Sequence, residues 1–252
     1  MSRRRRLDTE LVRRGLVETR TLAADSIATG RVLVNGAIAD KASRQVDPAD
    51  AIVLAGPPPR FVSRGGDKLD AALDAFAIDV TGKRILDAGA STGGFTDCLL
   101  QRGARTVVAL DVGHGQLHPR IRDDPRVTVI ERYNVRHVRA EDIGGIVDAV
   151  VGDLSFISLK RVIVPLRDVC RPGGPLVLLV KPQFEAGRQE VSKAKGVIVD
   201  AAVHARIREE IDGALAAAGC SVRGWIESPI TGGDGNREFL VCATTPEEGS
   251  PT

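Results

Sequence analysis

The chain has 252 residues, 43% of them hydrophobic and 27% charged. This composition is typical of a soluble globular protein with one sizeable core and a small extra module. Its longest apolar runs, such as Leu176–Val180, have the length of a strand, whereas a membrane helix needs about 20 residues. No apolar stretch follows the basic residues at the start, so we expect no secretory signal and a cytoplasmic location.

The formal net charge is only +2, but it is unevenly distributed. Residues 1–60 contain eleven Lys and Arg against seven Asp and Glu, which gives +4 there and leaves −2 for the rest. Such asymmetry indicates that the first part meets a polyanion. The four cysteines, Cys98, Cys170, Cys220 and Cys242, lie far apart without a metal-binding spacing, so we interpret them as core residues and expect no metal.

The first sixty residues predict a compact α+β module. Apolar spacing predicts a helix over Leu7–Leu16, and a second helix begins at Thr19, whose side chain can cap it, and ends at Gly30. The following strand runs into Asn35-Gly36, a strong hairpin signal, and Ala51–Leu54 predicts another strand.

This module resembles the αL RNA-binding motif of a small-subunit ribosomal protein, pseudouridine synthases and tyrosyl-tRNA synthetases. The matching residues are Arg20, Ala24, Ile27, Gly30, Val32, Val34, Asn35 and Gly36. The resemblance implies an RNA-binding face, and basic side chains suit phosphate contact. The candidate RNA-binding residues are Arg4, Arg6, Arg13, Arg14, Arg20, Arg31 and Arg64. The alternative is that these arginines are solvated groups of a small structural domain.

The domain boundary is expected at Gly56–Pro59, which breaks helix and sheet and favours a stiff linker. We predict an RNA-binding domain over 1–59, a linker over 60–66, a second domain over 67–244 and a disordered tail over 245–252. Arg64 lies in that linker and could report RNA docking to the second domain, although an ordinary tether is the alternative.

From Lys83 onward the chain alternates strands and helices, the pattern of an α/β doubly wound, mostly parallel sheet. The clearest helix spans Asp200–Ala218, with Asp200 as cap and a stop at Gly219. The predicted strands are Arg84–Ala88, Thr106–Asp111, Val127–Glu131, Val147–Asp153, Leu176–Lys181, Val222–Glu227 and Glu238–Thr244. Seven strands ending in a hairpin-like pair predict a Rossmann-like sheet of the class I methyltransferase type.

The stretch Ile85–Thr96 has the form of a strand that turns tightly into a helix and so makes a cofactor seat. Gly89-x-Ser91-x-x-Gly94 lacks the middle glycine of the dinucleotide fingerprint. With Asp87 before the turn and Asp111 ending the next strand, the pattern favours a zwitterionic nucleoside such as S-adenosylmethionine. An ordinary strand-to-helix corner is the alternative.

Charged residues lie at or next to the carboxyl ends of four predicted strands: Asp87, Asp111, Asp153 and Lys181. Ligands of open parallel sheets bind at the carboxyl ends of the strands, so these four indicate a site rather than a core. Glu238, at the start of the last strand, could reach the same region.

With Lys68, these residues resemble the Lys-Asp-Lys-Glu tetrad of FtsJ-type ribose 2′-O-methyltransferases: Lys68, Asp153, Lys181 and Glu238. Nearly the whole chain resembles the TlyA family, described both as ribosomal RNA cytidine 2′-O-methyltransferases and as hemolysins. The motifs that carry this resemblance are Val62–Leu69, Asp87–Thr96, Asp111–Gly113, Asp153–Ser158 and Lys181–Glu185.

The resemblance implies S-adenosylmethionine as cofactor and ribosomal RNA as partner. Lys181 is then base or alkoxide stabiliser, Asp153 its orienting partner, and Lys68 and Glu238 position the ribose. The residues assigned to the cofactor are Asp87, Gly89, Ala90, Ser91, Thr92, Gly93, Gly94, Phe95, Asp111, Val112, Asn134, Asp153 and Leu154.

Three other functions are weaker alternatives. A membrane-lytic hemolysin predicts a long apolar or strongly amphipathic segment, which the sequence lacks. A non-catalytic RNA-binding protein is disfavoured by the complete tetrad. Methylation of a base nitrogen is disfavoured because Asp153–Phe156 replaces an Asn-Pro-Pro-Tyr type motif.

Gly187–Gly196 is predicted to be a mobile loop that contacts RNA phosphates, and the sequence leaves the oligomeric state open.

Overall fold

The computed structural model describes residues 4–57, 59–194, 196–232 and 235–249. The chain divides into two compact units, Met1–Arg64 and Gly65–Thr252. The division falls inside the segment expected to be a linker, 60–66: residues 60–64 belong to the first unit, and Gly65 begins a helix of the second. Each unit is described separately below.

The first unit is a small α+β module. Thr19 caps the second helix by accepting the N–H of Leu22, as expected from the sequence. The turn at Asn35 and Gly36 has φ of 53° and 81°, the geometry of the predicted tight hairpin. Its elements are β1 (Arg5–Arg6), α1 (Leu7–Arg13), α2 (Arg20–Ala28), β2 (Val32–Val34), β3 (Ala37–Ile38), β4 (Gln45–Val46) and β5 (Ile52–Leu54).

Two antiparallel sheets hold this unit together. The strands β3, β2 and β5 form one of them in that order, and β1 pairs with β4 in the other. The β1–β4 pair was not predicted, because its two-residue strands are too short to show a periodic pattern. Leu7, Leu11 and Val32 are fully buried beneath the helices and sheets.

The second unit is built on a sheet with helices. The helices are α3 (Gly65–Ala75), α4 (Gly94–Gln101), α5 (Pro119–Arg122), α6 (Ile163–Asp168), α7 (Pro182–Glu185), α8 (Arg188–Lys193) and α9 (Ala201–Ala217). The strands are β6 (Arg84–Ala88), β7 (Thr106–Leu110), β8 (Val127–Ile130), β9 (Ala149–Gly152), β10 (Pro175–Val180), β11 (Ser221–Glu227) and β12 (Phe239–Thr244). Short 3-10 helices occur at Val135–His137, Glu141–Ile143 and Leu159–Arg161.

In the described part of the unit, seven strands form one sheet in the order β11-β12-β10-β9-β6-β7-β8. The strands β10, β9, β6, β7 and β8 pair in parallel, and β12 is antiparallel to both of its neighbours. The predicted seven-stranded, mostly parallel Rossmann-like sheet is confirmed. Chain order reverses between β6 and β9, and ligands bind at the carboxyl ends of strands beside such a switch point.

The predicted strand ends are shifted by about one residue at the functional edge. Asp111, Asp153 and Lys181 follow their strands, and Glu238 precedes β12. These charged residues therefore lie just beyond the ends of the buried apolar strands. Asp200 caps α9 by accepting the N–H of Ala202, as predicted.

Two predictions of irregular structure need correction. Residues 188–193 form the helix α8 instead of a loop, and Glu190 pairs with Arg206 of α9 at 2.7 Å; Lys195 lies outside the described residues. In the predicted tail, Thr245 is buried and its hydroxyl donates to the carbonyl of Arg171 at 2.7 Å. Residues 250–252 lie outside the described chain.

The apolar faces of the sheet form the main core of the second unit, which includes Leu86, Val150 and Leu178. All four cysteines are buried, as predicted. Burial raises the pKa of Cys170 to about 12 and that of Cys242 to about 11, so both thiols stay protonated. Among the described residues, none of the helices has the length and apolar character needed to cross a membrane.

Candidate active site

The turn after β6 approaches the loop after β9 closely. Gly89 has φ of +87°, and a Cβ atom there would lie 2.5 Å from the carbonyl oxygen of Asp153. Only glycine combines this backbone conformation with so close a neighbour. Gly93, at φ of +95°, then precedes the first residue of α4, so the predicted strand, glycine turn and helix are all present.

Asp111 joins the loops that follow β6 and β7. Its two carboxylate oxygens accept the N–H of Ser91 at 2.8 Å and the N–H of Gly113 at 2.6 Å. A carboxylate held by two backbone donors is fixed in orientation. Asp111 therefore gives this edge of the sheet a rigid acidic group.

A cavity of about 450 Å³ opens between these loops, a volume usual for small-molecule sites. Seven residues predicted to hold the cofactor line it: Gly89, Ser91, Asp111, Val112, Asn134, Asp153 and Leu154. Six others are not among its lining residues: Asp87, Ala90, Thr92, Gly93, Gly94 and Phe95. Sequence reasoning missed Leu110, Gly113, Gln116, Tyr133, Val135, Arg136, Ser155, Phe156 and Ile157.

Asp87 lies behind the cavity, in β6, and is completely buried. Thr96 donates to its Oδ2 at 2.6 Å, while its Oδ1 has no hydrogen-bond partner among the described residues. Burial raises the pKa of Asp87 to about 7, and the charges of Asp153 and Asp111 add to the increase. Asp87 therefore connects β6 to the start of α4 through Thr96. With a pKa of about 7, its carboxyl group gains or loses a proton near neutral pH.

The raised pKa of Asp87 predicts a pH dependence of stability. The folded protein keeps this proton up to about pH 7, whereas the unfolded chain loses it near the ordinary value of 3.8. The contribution to the free energy of unfolding is therefore complete below about pH 4 and is lost as the pH rises through 7.

We expect the wild type to lose up to about 4 kcal/mol relative to Asp87→Asn between pH 4 and 8, measured by urea unfolding. The comparison with Asp87→Asn removes the effect of the other titrating groups. A constant difference between the two proteins over this range would contradict the assignment.

The four predicted catalytic residues form two ion pairs. The Lys181 Nζ lies 2.6 Å from Asp153 Oδ1 and donates to the Ser155 hydroxyl at 2.9 Å. The Lys68 Nζ donates to Glu238 Oε2 at 2.5 Å, and both of these side chains are largely buried.

The sheet register places the two ion pairs at the same edge. Val180 is paired with Phe239 in the antiparallel β10–β12 ladder. The next residues outward are Lys181 and Glu238, so their backbones lie on adjacent strands, which are spaced about 4.8 Å apart. The two pairs therefore lie at the same edge of the sheet, although Lys68 and Glu238 are 170 residues apart in the chain. Of the four residues, Asp153 lines the cavity.

An exposed aromatic residue stands at the mouth of the cavity. Phe156 is 91% exposed and has φ of +64°, an uncommon conformation for a bulky residue. Its ring centroid lies 5.2 Å from that of Phe184, and the Lys181 Nζ lies 5.9 Å from the Phe184 centroid. The two rings are tilted by 48° to each other, so an exposed aromatic surface adjoins the Lys181–Asp153 pair.

Glu185 connects the two loops that carry Asp153 and Lys181. This buried carboxylate accepts the Ser158 hydroxyl at 2.5 Å and the N–H of Leu159 at 2.8 Å. Burial raises the pKa of Glu185. Its contacts fasten α7, directly after Lys181, to the segment after Asp153 and so limit relative movement of the pair.

The predicted RNA-binding arginines differ in their surroundings within the first unit. Arg6, Arg13, Arg14 and Arg20 pair with Asp8 or Glu10. The remaining three are Arg64, which pairs with Asp25 at 3.1 Å; Arg31, which donates to the carbonyl of Ala55; and Arg4, which is exposed.

Comparison with known proteins agrees with this architecture. Residues 61–245 match the model of the FtsJ-like methyltransferase family, and residues 5–52 match the S4 domain. The chain is 47% identical over 246 residues to the 16S/23S rRNA (cytidine-2′-O)-methyltransferase TlyA of Mycobacterium tuberculosis, covering 97% of this chain and 91% of that protein.

Two further relatives are similar over almost the full length. YqxC of Bacillus subtilis, named as a candidate rRNA methyltransferase, is 45% identical over 249 residues, covering 98% of this chain and 88% of that protein. A solved structure of a candidate hemolysin from Streptococcus thermophilus is 39% identical with a TM-score of 0.77, covering 100% of this chain and 93% of that one. The chain therefore belongs to the FtsJ-like methyltransferase family, in the S4-domain group that includes TlyA, as its motifs predicted.

Proposed function

We propose that this methyltransferase uses S-adenosylmethionine to methylate the ribose 2′-hydroxyl of a cytidine in ribosomal RNA. The observation that carries the proposal is the placement of the Lys181–Asp153 and Lys68–Glu238 pairs at one edge of the sheet, where Asp153 lines the cavity. The rRNA (cytidine-2′-O)-methyltransferase activity for which TlyA of Mycobacterium tuberculosis is named, at 47% identity, supports the substrate. A ribosomal substrate agrees with the cytoplasmic location expected from the sequence.

The residues around the cavity fit the proposed cofactor. Gly89 leaves room where a Cβ atom would meet Asp153, and the carboxylates of Asp111 and Asp153 line the cavity beside a ligand that carries a sulfonium and an ammonium group. Asp111, fixed by two backbone donors, is suited to hold hydroxyl groups of a nucleoside ribose. When bound, S-adenosylmethionine supplies an activated methyl group.

Lys181 is the residue that we assign to the ribose oxygen. As a neutral amine it accepts the 2′-hydroxyl proton, and as an ammonium it donates to the oxygen while negative charge develops. Asp153, at 2.6 Å, orients the Lys181 amine. Lys68 and Glu238 form a buried pair that positions the ribose.

The Phe156 and Phe184 rings offer a stacking surface for the base of the target nucleotide. A nucleotide whose sugar reaches Lys181 must leave its stack, and an aromatic face compensates for the lost stacking. The exposure of Phe156 and its 5.2 Å separation from Phe184 support this role.

The Phe156→Ala substitution is expected to lower kcat/KM for RNA by about 10- to 100-fold, since stacking on one aromatic residue contributes about 1–3 kcal/mol. Steady-state kinetics with RNA as the varied substrate would measure it. Phe156→Tyr keeps the ring and is the matched control. Because Phe156 also lines the cavity, the affinity for S-adenosylhomocysteine must be measured too, and a loss of cofactor affinity that accounts for the whole effect would contradict the stacking role.

The function is tested directly by methyl transfer. The protein is incubated with labelled S-adenosylmethionine and, separately, with each ribosomal subunit from a strain that lacks the modification. We expect label in the RNA, and 2′-O-methylcytidine as the labelled nucleoside after digestion and mass spectrometry. No transfer to either subunit, or label on a base, would contradict the proposal. In a parallel erythrocyte assay, release of haemoglobin would support the hemolysin alternative.

A further inference from the structure

Two buried acids lie within the arginine-rich surface of the first unit. Asp8 and Glu10 belong to α1, and their side chains are only 5% and 1% exposed. The side chains of Arg6 and Arg13 next to them are 46% and 49% exposed. Negative charge on a surface that binds RNA weakens the attraction for phosphate, so these carboxylates need an explanation.

Asp8 holds two of the arginines. Arg6 binds it through two parallel bonds, from Nε to Oδ1 at 3.0 Å and from Nη2 to Oδ2 at 2.9 Å. The Nη2 of Arg20 donates to the same Oδ2 at 2.9 Å. In the part of the chain that the structure describes, neither arginine uses its Nη1 group in a hydrogen bond.

Glu10 treats its two neighbours differently. Arg13 binds it through Nε at 2.7 Å and Nη2 at 2.6 Å, and the side chain remains half exposed. Arg14 donates through Nε to Glu10, through Nη1 to the carbonyl of Asp50 and through Nη2 to that of Pro48, and it is only 21% exposed. The guanidinium group of Arg14 is thus bound within the unit, whereas that of Arg13 remains partly exposed to solvent.

We propose that Asp8 and Glu10 are positioning residues for RNA binding, which hold Arg6, Arg20 and Arg13 with their remaining N–H groups available to RNA phosphates. This inference rests on the proposed function, because it assumes that the first unit binds RNA. An arginine that is held on its Nε side still offers the N–H groups at its tip, in the planar arrangement that phosphate recognition requires.

The acids remain charged at all relevant pH values. The hydrogen bonds from Arg6 hold the pKa of Asp8 far below its ordinary value, and those from Arg13 lower the pKa of Glu10 to about 2. The five arginines Arg5, Arg6, Arg13, Arg14 and Arg20 outnumber the two carboxylates. The surface therefore stays positive while its guanidinium groups are held in place.

The benefit of this arrangement is entropic. Immobilising a long side chain on binding has an entropic cost, and groups that are already held avoid that cost. Charge alone predicts that removal of a carboxylate strengthens RNA binding, because the surface becomes more positive. Loss of positioning predicts that RNA binding weakens. Neutralising Asp8 or Glu10 therefore separates positioning from simple electrostatics.

The experiment uses the full chain with Asp8→Asn, Glu10→Gln and Asp40→Asn, which neutralises an exposed acid of the same unit. Binding to each ribosomal subunit is measured between 50 and 300 mM salt, over which the Debye length falls from about 14 Å to about 5 Å. Methyl-transfer kinetics are measured under the same conditions. We expect Asp8→Asn and Glu10→Gln to weaken binding by about three- to tenfold and to flatten the salt dependence, because about one phosphate contact is lost. Asp40→Asn should bind as tightly as the wild type or more tightly.

The kinetic pattern distinguishes positioning from loss of structure. The KM for RNA should rise while kcat and cofactor affinity stay unchanged, and circular dichroism should show a folded protein. If Asp8→Asn unfolds the unit, RNA binding is compared instead in Glu10→Gln and in Arg13→Lys. A lysine at position 13 cannot form the two parallel bonds to Glu10. Equal or tighter RNA binding by the folded variants would overturn this inference, whereas absence of binding by the wild type would overturn the proposed function instead.

Discussion

The Lys181→Ala variant is expected to lose about 10²- to 10⁴-fold in kcat, the usual contribution of a positioned proton-transfer group. The expectation follows from the geometry: the Lys181 Nζ is held by Asp153 and Ser155 beside the cavity. Lys181 is not among the residues that line the cavity. Cofactor affinity should therefore stay within about threefold of the wild type, a difference under 0.7 kcal/mol.

The Lys181→Arg variant distinguishes the two chemical roles of this residue. Arginine keeps the positive charge but does not become a neutral base in a protein. If Lys181 accepts the 2′-hydroxyl proton, the arginine variant should be as inactive as the alanine variant. If it stabilises the developing alkoxide, part of the activity should remain.

The matched control is Lys83→Ala. Lys83 directly precedes β6, so it lies at the opposite end of the strand from the glycine turn. We expect single-turnover rates of this variant to match the wild type. A Lys181→Ala protein that is folded, binds cofactor and transfers methyl groups at the wild-type rate would exclude Lys181 from the chemical step.

The edge of the sheet was predictable because each apolar run ends in a charged residue. Asp111, Asp153 and Lys181 follow strands whose side chains are buried on both faces, which gives a continuous apolar signal in the sequence. Parallel strands then bring their carboxyl ends to one edge. The cavity beside Asp111 and Asp153 follows from the same rule.

Other parts of the site leave no such signal. The pairing of Lys68 with Glu238 joins a helix to the last strand, and only the family resemblance indicated it. Phe156 is exposed and its backbone adopts a positive φ, and no sequence pattern predicts that conformation for phenylalanine. The same limit applies to Glu185, whose role depends on contacts with Ser158 and Leu159.

The arginines of the first unit show a second limit. Composition alone treats Arg13 and Arg14 as equivalent neighbours, yet Arg14 is bound to backbone carbonyls of the unit and Arg13 is half exposed. Helical position explains the difference, because residues three and four after Glu10 both reach its carboxylate but continue in different directions. Counting charges therefore identifies a basic surface but not which of its arginines remain exposed.

The Gly89→Ala substitution is expected to abolish measurable cofactor binding, a loss of at least about 100-fold. A Cβ atom at this position would lie 2.5 Å from the carbonyl oxygen of Asp153, 3.0 Å from its carbonyl carbon and 3.0 Å from the Leu154 Cδ2. Two of these three atoms are backbone, so no side-chain rotation relieves the overlap. The turn and the loop after β9 must move apart, and because Gly89, Asp153 and Leu154 all line the cavity, this movement distorts the cofactor site.

The control for Gly89→Ala is Gly82→Ala, which separates backbone strain from steric overlap. Gly82 has φ of +69°, close to that of Gly89, but a Cβ atom there has no heavy atom within 4 Å in the described structure. Both substitutions pay the left-handed backbone strain, about 1–2 kcal/mol, and only Gly89→Ala adds the overlap with Asp153. Isothermal titration with S-adenosylhomocysteine should show wild-type affinity for Gly82→Ala and none for Gly89→Ala. Equal cofactor affinities in the two variants would mean that the close approach of these loops does not shape the cofactor site.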